Sequence, residues 1–144
     1  MNAILSMARW ITALIFVLAS SLAIADTLTP KRFGNVVYLS GGVTQDEAHA
    51  MRAVAFQYNL RVAFIAHTGQ YLADVPVSIK NERGDVVFDG VSEGPMFWIG
   101  VPPGRYVVTA RYSGQPLAQR VDVGSQMHSP LFFRWLVSPI DSEF

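Results

Sequence analysis

Gly94-Pro-Met-Phe-Trp-Ile-Gly-Val-Pro-Pro-Gly-Arg-Tyr-Val-Val-Thr-Ala-Arg-Tyr-Ser-Gly114 carries two apolar runs, Met96 to Val101 and Tyr106 to Tyr112, on either side of Pro102-Pro103-Gly104. The second run alternates. Tyr106, Val108, Ala110 and Tyr112 share one face, and Arg105, Val107, Thr109 and Arg111 the other, the period of a half-buried strand. Pro102 and Pro103 stiffen the junction. Pro103 fixes φ for the second position of a tight turn, and Gly104 offers the positive φ that a type II turn needs at its third. The stretch therefore predicts an antiparallel hairpin with one face on a core. It speaks for architecture and says nothing of activity.

Working outward, 144 residues leave room for one domain. Residues 1–25 read as a signal peptide. Arg9 precedes an apolar run from Trp10 to Leu18, and Ala23-Ile24-Ala25 before Asp26 places small residues where a signal peptidase needs them. The run to Ala25 falls short of the ~20 residues that span a bilayer. The expectation is an exported, periplasmic protein with no stable membrane span after cleavage; the alternatives are secretion, or anchoring by an uncleaved N-terminal segment. The chain has no cysteine, which excludes disulfides and thiolate metal sites. Removing Arg9 from eleven Lys+Arg leaves ten against eleven Asp+Glu, a net charge of −1 with no basic run. That argues against a nucleic-acid partner.

Residues 26–43 read as a polar N-terminal arm ending in a short strand, Val36 to Ser40. Thr44-Gln-Asp-Glu47 has capping-box spacing and opens a helix over 44–58. Ala48, Met51, Val54, Ala55 and Tyr58 form its apolar stripe, with His49, Arg52 and Ala53 off it, and Asn59 is expected to end it in a left-handed conformation. The sandwich domain spans 60–137. Leu60 to Ala66 alternates as a strand, then His67 to Asp74 is a loop. Val75 to Lys80 is a strand whose Pro76 predicts an edge position or a bulge. Asp85 to Asp89 returns after a turn ending at Gly84. Ser113-Gly114 turns the chain into Gln115 to Val123, and Leu131 to Val137 is a last strand before the polar tail 138–144. Short strands at ~10-residue intervals predict a mainly β protein, a small antiparallel β-sandwich of about seven strands with one N-terminal amphipathic helix.

Tyr71-Leu-Ala-Asp-Val-Pro-Val-Ser-Ile-Lys-Asn-Glu-Arg-Gly84, Asp85-Val-Val-Phe-Asp89 and Val101-Pro-Pro-Gly-Arg-Tyr-Val-Val-Thr-Ala110 with Gly114 together resemble the carboxypeptidase regulatory-like domain. The similarity covers residues 60–123. It implies a transthyretin-like (prealbumin-like) β-sandwich and, since that family consists mostly of accessory modules, no catalysis. The fold has an enzyme branch, the hydroxyisourate hydrolases, which end in Tyr-Arg-Gly-Ser. The sequence ends Asp141-Ser-Glu-Phe144, so the resemblance carries no catalytic residue over.

His49, His67 and His128 show no metal-ligand spacing, and a zinc site would need them to converge with a carboxylate such as Asp74. No G-x-S-x-G elbow is present. No catalytic, cofactor or metal residue is therefore assigned. Aromatics are dense instead. Phe97 and Trp98, like Phe132 and Phe133, must point to opposite faces of their strands, so one of each pair lies beneath the helix or on the surface. Trp98, Trp135 and Phe133 are the candidate partner-binding residues, with Pro102, Pro103 and Gly104 as the structural turn. The function expected is an exported, non-catalytic β-sandwich module binding a protein or glycan of the bacterial cell envelope. The alternative is a small envelope hydrolase using His67 or His128 with a carboxylate.

Overall fold

The structure, a computed structural model, describes residues 28–124 and 130–136. Residues 1–25, read from the sequence as a signal peptide, His128 and the tail 138–144 lie outside the described residues. The elements are β1 (Lys31–Phe33), β2 (Val36–Gly41), α1 (Gln45–Val54) running into a 3-10 turn (Ala55–Gln57), β3 (Leu60–Ala66), β4 (Val75–Asn81), β5 (Val86–Ser92), β6 (Met96–Gly100), β7 (Gly104–Tyr112), β8 (Gln115–Val123) and β9 (Leu131–Trp135). They form two sheets, β1-β2-β6-β3-β9 and β5-β4-β7-β8. Among the described residues the protein is mainly β, with two sheets and one short helix. Among the described residues no helix is long and apolar enough to cross a membrane.

The inward faces meet in one core. Val62, Phe64, Phe97, Ile99, Phe133 and Trp135 from the five-stranded sheet pack with Val75, Val77, Ile79, Phe88, Tyr106 and Val108 from the other. Phe88 and Phe97 stand 4.9 Å apart across the interface. Each such side chain contributes roughly 1.5–3 kcal/mol by leaving water, which matters in a chain without disulfides. On one side of the sandwich the edge strands β8 and β9 are tied together. The Trp135 indole donates to the Gln115 carbonyl at 2.9 Å, and the Gln119 amide to the Phe132 carbonyl at 2.7 Å.

Several expectations are corrected. Nine strands are present among the described residues, where about seven were expected. β1 arises in the stretch read as an arm, because Gly34-Asn35 is a two-residue hairpin loop joining it to β2. The sandwich is not purely antiparallel: β9 pairs parallel with β3, having crossed from the other sheet. Pro76 lies neither at a sheet edge nor at the bulge. β4 is an interior strand, and Pro76 pairs with Val91 just before the β4–β7 pairing begins at Val77.

The largest correction concerns Pro102-Pro103-Gly104. The runs on either side are β6 and β7, and they lie in different sheets. The link is a crossing over the core, not a hairpin. Gly104 opens β7 opposite Val123 and is not among the positive-φ glycines. Both runs bury alternate residues in the same core, Phe97 and Ile99 from one side, Tyr106 and Val108 from the other. Alternation identifies the buried face, whereas the neighbouring strand is decided elsewhere. The Tyr106 hydroxyl donates to the Pro102 carbonyl and clasps the crossing, and burial pushes that phenol above its ordinary pKa. The Ser113-Gly114 turn is as expected, a hairpin between β7 and β8 with φ of 51° and 76°.

α1 starts at the Thr44 cap that the spacing predicts, with one arm of the capping box formed and the other moved back to Gly42. The Glu47 N–H donates to Thr44 Oγ1 at 3.1 Å, while the Glu47 carboxylate reaches back to the Gly42 N–H at 2.6 Å. Ala48, Met51, Ala55 and Tyr58 face inward onto Leu39, Met96 and Trp98, a second apolar cluster on the outer face of the five-stranded sheet. Asn59 does not adopt a left-handed conformation. Its amide instead donates to the carbonyls of Val101 and Gly124 and accepts from the Val101 N–H, pinning the helix exit to the crossing.

Candidate functional site

Strand register lays out the outer face of the five-stranded sheet in rows. Leu39, Trp98 and Arg61 stand side by side on β2, β6 and β3. In the next row Gly41, Met96 and Ala63 are joined by Phe132 on β9, and beyond them Ile65 pairs with Arg134. α1 sits over β2 and β6. On β3 Ala63 and Ile65 are also buried, while Phe132 on β9 is exposed. A cleft of about 300 Å³ lies along the boundary. Arg52 and Ala55 form its helix wall. Trp98, Met96, Ala63 and Arg61 make the floor, with Phe132 and Pro130 on the far side and Tyr71 at one end. Tyr71 is held there because its backbone bridges to Ile65, while its neighbour Leu72 is buried.

The three aromatic residues proposed from sequence as partner anchors do not line an exposed surface together. Phe133 is 0% and Trp135 1% exposed, both between the sheets. Trp98 is 3% exposed beneath α1, where its indole donates to the Met51 carbonyl at 2.9 Å. Only Trp98 reaches the cleft, as part of its floor. The aromatic residues of the cleft that do stand outward are Phe132, 54% exposed, and Tyr71. The physical reason is the phase of β9. Burial there falls on Phe133 and Trp135, so Phe132 and Arg134 take the opposite face. The sequence required one of the pair Phe132 and Phe133 to face outward; which one is set by packing across the core. Arg52 was legible as lying off the helix stripe, and Arg61 as alternating with buried Leu60 and Val62.

The cleft is chemically simple. Its lining has apolar and aromatic surface, two guanidinium groups and one phenol, with no carboxylate, amide or imidazole. Such a lining offers apolar contact, guanidinium donors and one hydroxyl. His49 and His67 are exposed on the helix and in a loop, and among the described residues no three His, Cys, Asp or Glu gather as a metal site. A wider cavity of about 460 Å³ lies against the four-stranded sheet, lined in part by Arg105, Arg120, Glu82 and Asp122. Its charges match one another, with Arg105 at 3.3 Å from Asp122 and 3.8 Å from Glu82. These pairs are solvent-exposed and worth little. Pro102, Pro103 and Gly104 are exposed at the crossing and belong to neither cavity.

Compared with models of known protein families and with curated protein sequences, the chain matches none.

Proposed function

We propose that the protein is an exported, non-catalytic module of the bacterial cell envelope that binds a protein or glycan partner through the outer face of its five-stranded sheet. The observation that carries this reading is the cleft beside α1, where Phe132 and Tyr71 stand exposed over a floor of Trp98, Met96 and Ala63. An exposed aromatic set in an apolar hollow is the usual form of an interface anchor. A transthyretin-like sandwich of the carboxypeptidase regulatory-like type is part of the proposal. The segment 60–123 that carries the resemblance supplies all of the four-stranded sheet and the centre, β6 and β3, of the other.

Crosslinking in the native envelope followed by pull-down tests the reading. The expected result is a discrete partner captured by the wild type and lost with Phe132→Ser. Capture that is indifferent to Phe132, alongside a hydrolytic turnover lost with His67→Ala, would replace the binding module with the hydrolase.

A further inference from the structure

The cleft beside α1 is made by small side chains set among large ones. On β3, Ala63 stands between Met96 of β6 and Phe132 of β9, and in the neighbouring row Arg61 stands beside Trp98. On the helix wall Ala55 follows Arg52 by three residues, one turn along the same face. Two such rows on three strands make a floor roughly 10 Å across the strands and 7 Å along them. The floor itself is closed. Trp98, Ala63 and Met96 are buried, whereas Arg52, Tyr71 and Phe132 at the rim are exposed. At about 300 Å³ the hollow lies at the bottom of the range of about 300–1,000 Å³ for ligand sites, room for one bulky side chain and not for a helix. Its charge is one-sided. No carboxylate lines it. Arg61 is already engaged within the chain, while the Arg52 guanidinium has no ion pair among the described residues. The Trp98 indole N–H is taken up by the Met51 carbonyl, so the floor presents rings, a methyl group and a sulfur.

We propose that the cleft takes the C-terminal residue of a partner protein, with an aromatic side chain in the hollow and the terminal carboxylate on Arg52. A bulky apolar group and a carboxylate beside it meet in one residue only at the end of a chain. An internal aspartate or glutamate has the charge without the apolar bulk. The rings of Phe132, Tyr71 and Trp98 suit an aromatic guest in offset or edge contact, and the Met96 thioether adds a sulfur contact. A guanidinium holds a carboxylate through two parallel N–H bonds. The partner residues before the last cover the exposed rings of Phe132 and Tyr71, which a free small acid leaves half in water. The inference rests on the binding-module reading and narrows its partner to a protein. A neutral glycan has no carboxylate for Arg52, and its hydroxyls need acceptors. Among the lining side chains only the Tyr71 hydroxyl and the weakly accepting Met96 sulfur offer that.

Fluorescence anisotropy of the purified protein with labelled tetrapeptides tests this. A tetrapeptide ending in phenylalanine with a free carboxylate should bind at least about tenfold more tightly than its C-terminal amide. It should exceed by as much the same residues with the phenylalanine moved inside. That comparison needs no variant. Arg52→Gln should abolish the preference for the acid and leave the amide unchanged, with Arg52→Lys retaining part of it. Phe132→Ser should weaken the acid by roughly tenfold, and rising salt should weaken it too. Both positions are exposed, and circular dichroism checks that the variants fold. Equal affinity for acid and amide, equal affinity of wild type and Arg52→Gln for the acid, or no binding overturns the inference. N-acetylphenylalanine binding as tightly as the tetrapeptide would assign the cleft to a small carboxylate and overturn the protein partner. Deletion of residues 138–144 that raises peptide affinity at least about tenfold would make the chain's own tail the occupant and overturn the partner as well. If no peptide binds while crosslinking in the native envelope still captures a partner lost with Phe132→Ser, this inference falls and the binding module stands. Failure of both assays removes both.

Discussion

On the outer face of the five-stranded sheet, burial runs from β2 across β6 to Ala63 and Ile65 of β3 and stops at β9. Over β2 and β6, Leu39, Met96 and Trp98 are sealed by Met51 and Ala55 of the helical segment. Over β9, Phe132 keeps more than half its surface in water. The difference lies in reach. α1 follows β2 after a three-residue link and is tethered by the Glu47 carboxylate to the Gly42 N–H, so it lies over the strands nearest its start. One helix covers two strands. Apolar character in a strand therefore does not decide burial; the position of the covering element does.

Met51→Asp should have the largest effect, since it strikes the sealed strands at a fully buried side chain. Loss of the methionine packing together with a desolvated charge should cost about 4 kcal/mol or more. Arg52→Asp, one residue along and exposed, should stay within about 0.5 kcal/mol. Urea denaturation of both variants measures the gap. Equal midpoints would mean that α1 is not docked on β2 and β6.

The next effect in size contrasts two glycines at two of the crossings between the sheets. At Gly94, between β5 and β6, an added Cβ would stand 2.2 Å from the Gly41 carbonyl oxygen, backbone against backbone. Gly94→Ala should cost about 2–3 kcal/mol, the range of overpacking. At Gly104 the nearest atom to such a Cβ is 3.8 Å away on the Tyr106 ring, and φ is not positive. Gly104→Ala should fall within about 0.5 kcal/mol of wild type. Thermal melts that rank the two the other way would restore the tight turn at Pro103-Gly104.

These glycines also mark how far the sequence was legible. Alternation located β3, β4 and β7 and the inward sets Val75, Val77, Ile79 and Tyr106, Val108, Ala110, because a period of two is a property of each strand alone. It did not locate partners. That β6 and β7 lie in different sheets, that β9 runs parallel to β3, and that Gly94 abuts Gly41 are facts about segments distant in sequence. The cleft was visible only in fragments. Arg52 lay off the helix stripe, and one of Phe132 and Phe133 had to face outward. Tyr71 had no signal, since its place depends on a single bridge to Ile65.

Thr44→Ala tests the tether of α1 at its start. The hydroxyl accepts the Glu47 N–H, and its loss should cost about 1 kcal/mol, within the ~0.5–2 kcal/mol of an N-cap. Thr44→Ser, which keeps the oxygen, should recover most of that. Chemical denaturation of the pair checks it. A Ser variant as weak as the Ala variant would assign the loss to the methyl group instead of the cap.

The smallest expected effect on stability is the one that bears on function. Phe132 contributes to β9 through its backbone, whose carbonyl accepts from Gln119, while its ring lies outside the core that holds Phe133 and Trp135. Replacing the ring with serine removes apolar surface that is already half in water, so the unfolding free energy should change by no more than about 0.5 kcal/mol. Phe133→Ser, one residue along and fully buried, should lose at least about 3 kcal/mol. Differential scanning calorimetry of the two separates an anchor from a core residue. If Phe132→Ser destabilises the isolated protein as strongly as Phe133→Ser, the ring is a structural element of the chain itself. The β9 edge of the sheet then loses its claim to be an interface. If stability holds and partner capture falls, the same residue is spared by the fold and required by the interaction, the pattern expected of a surface kept for binding.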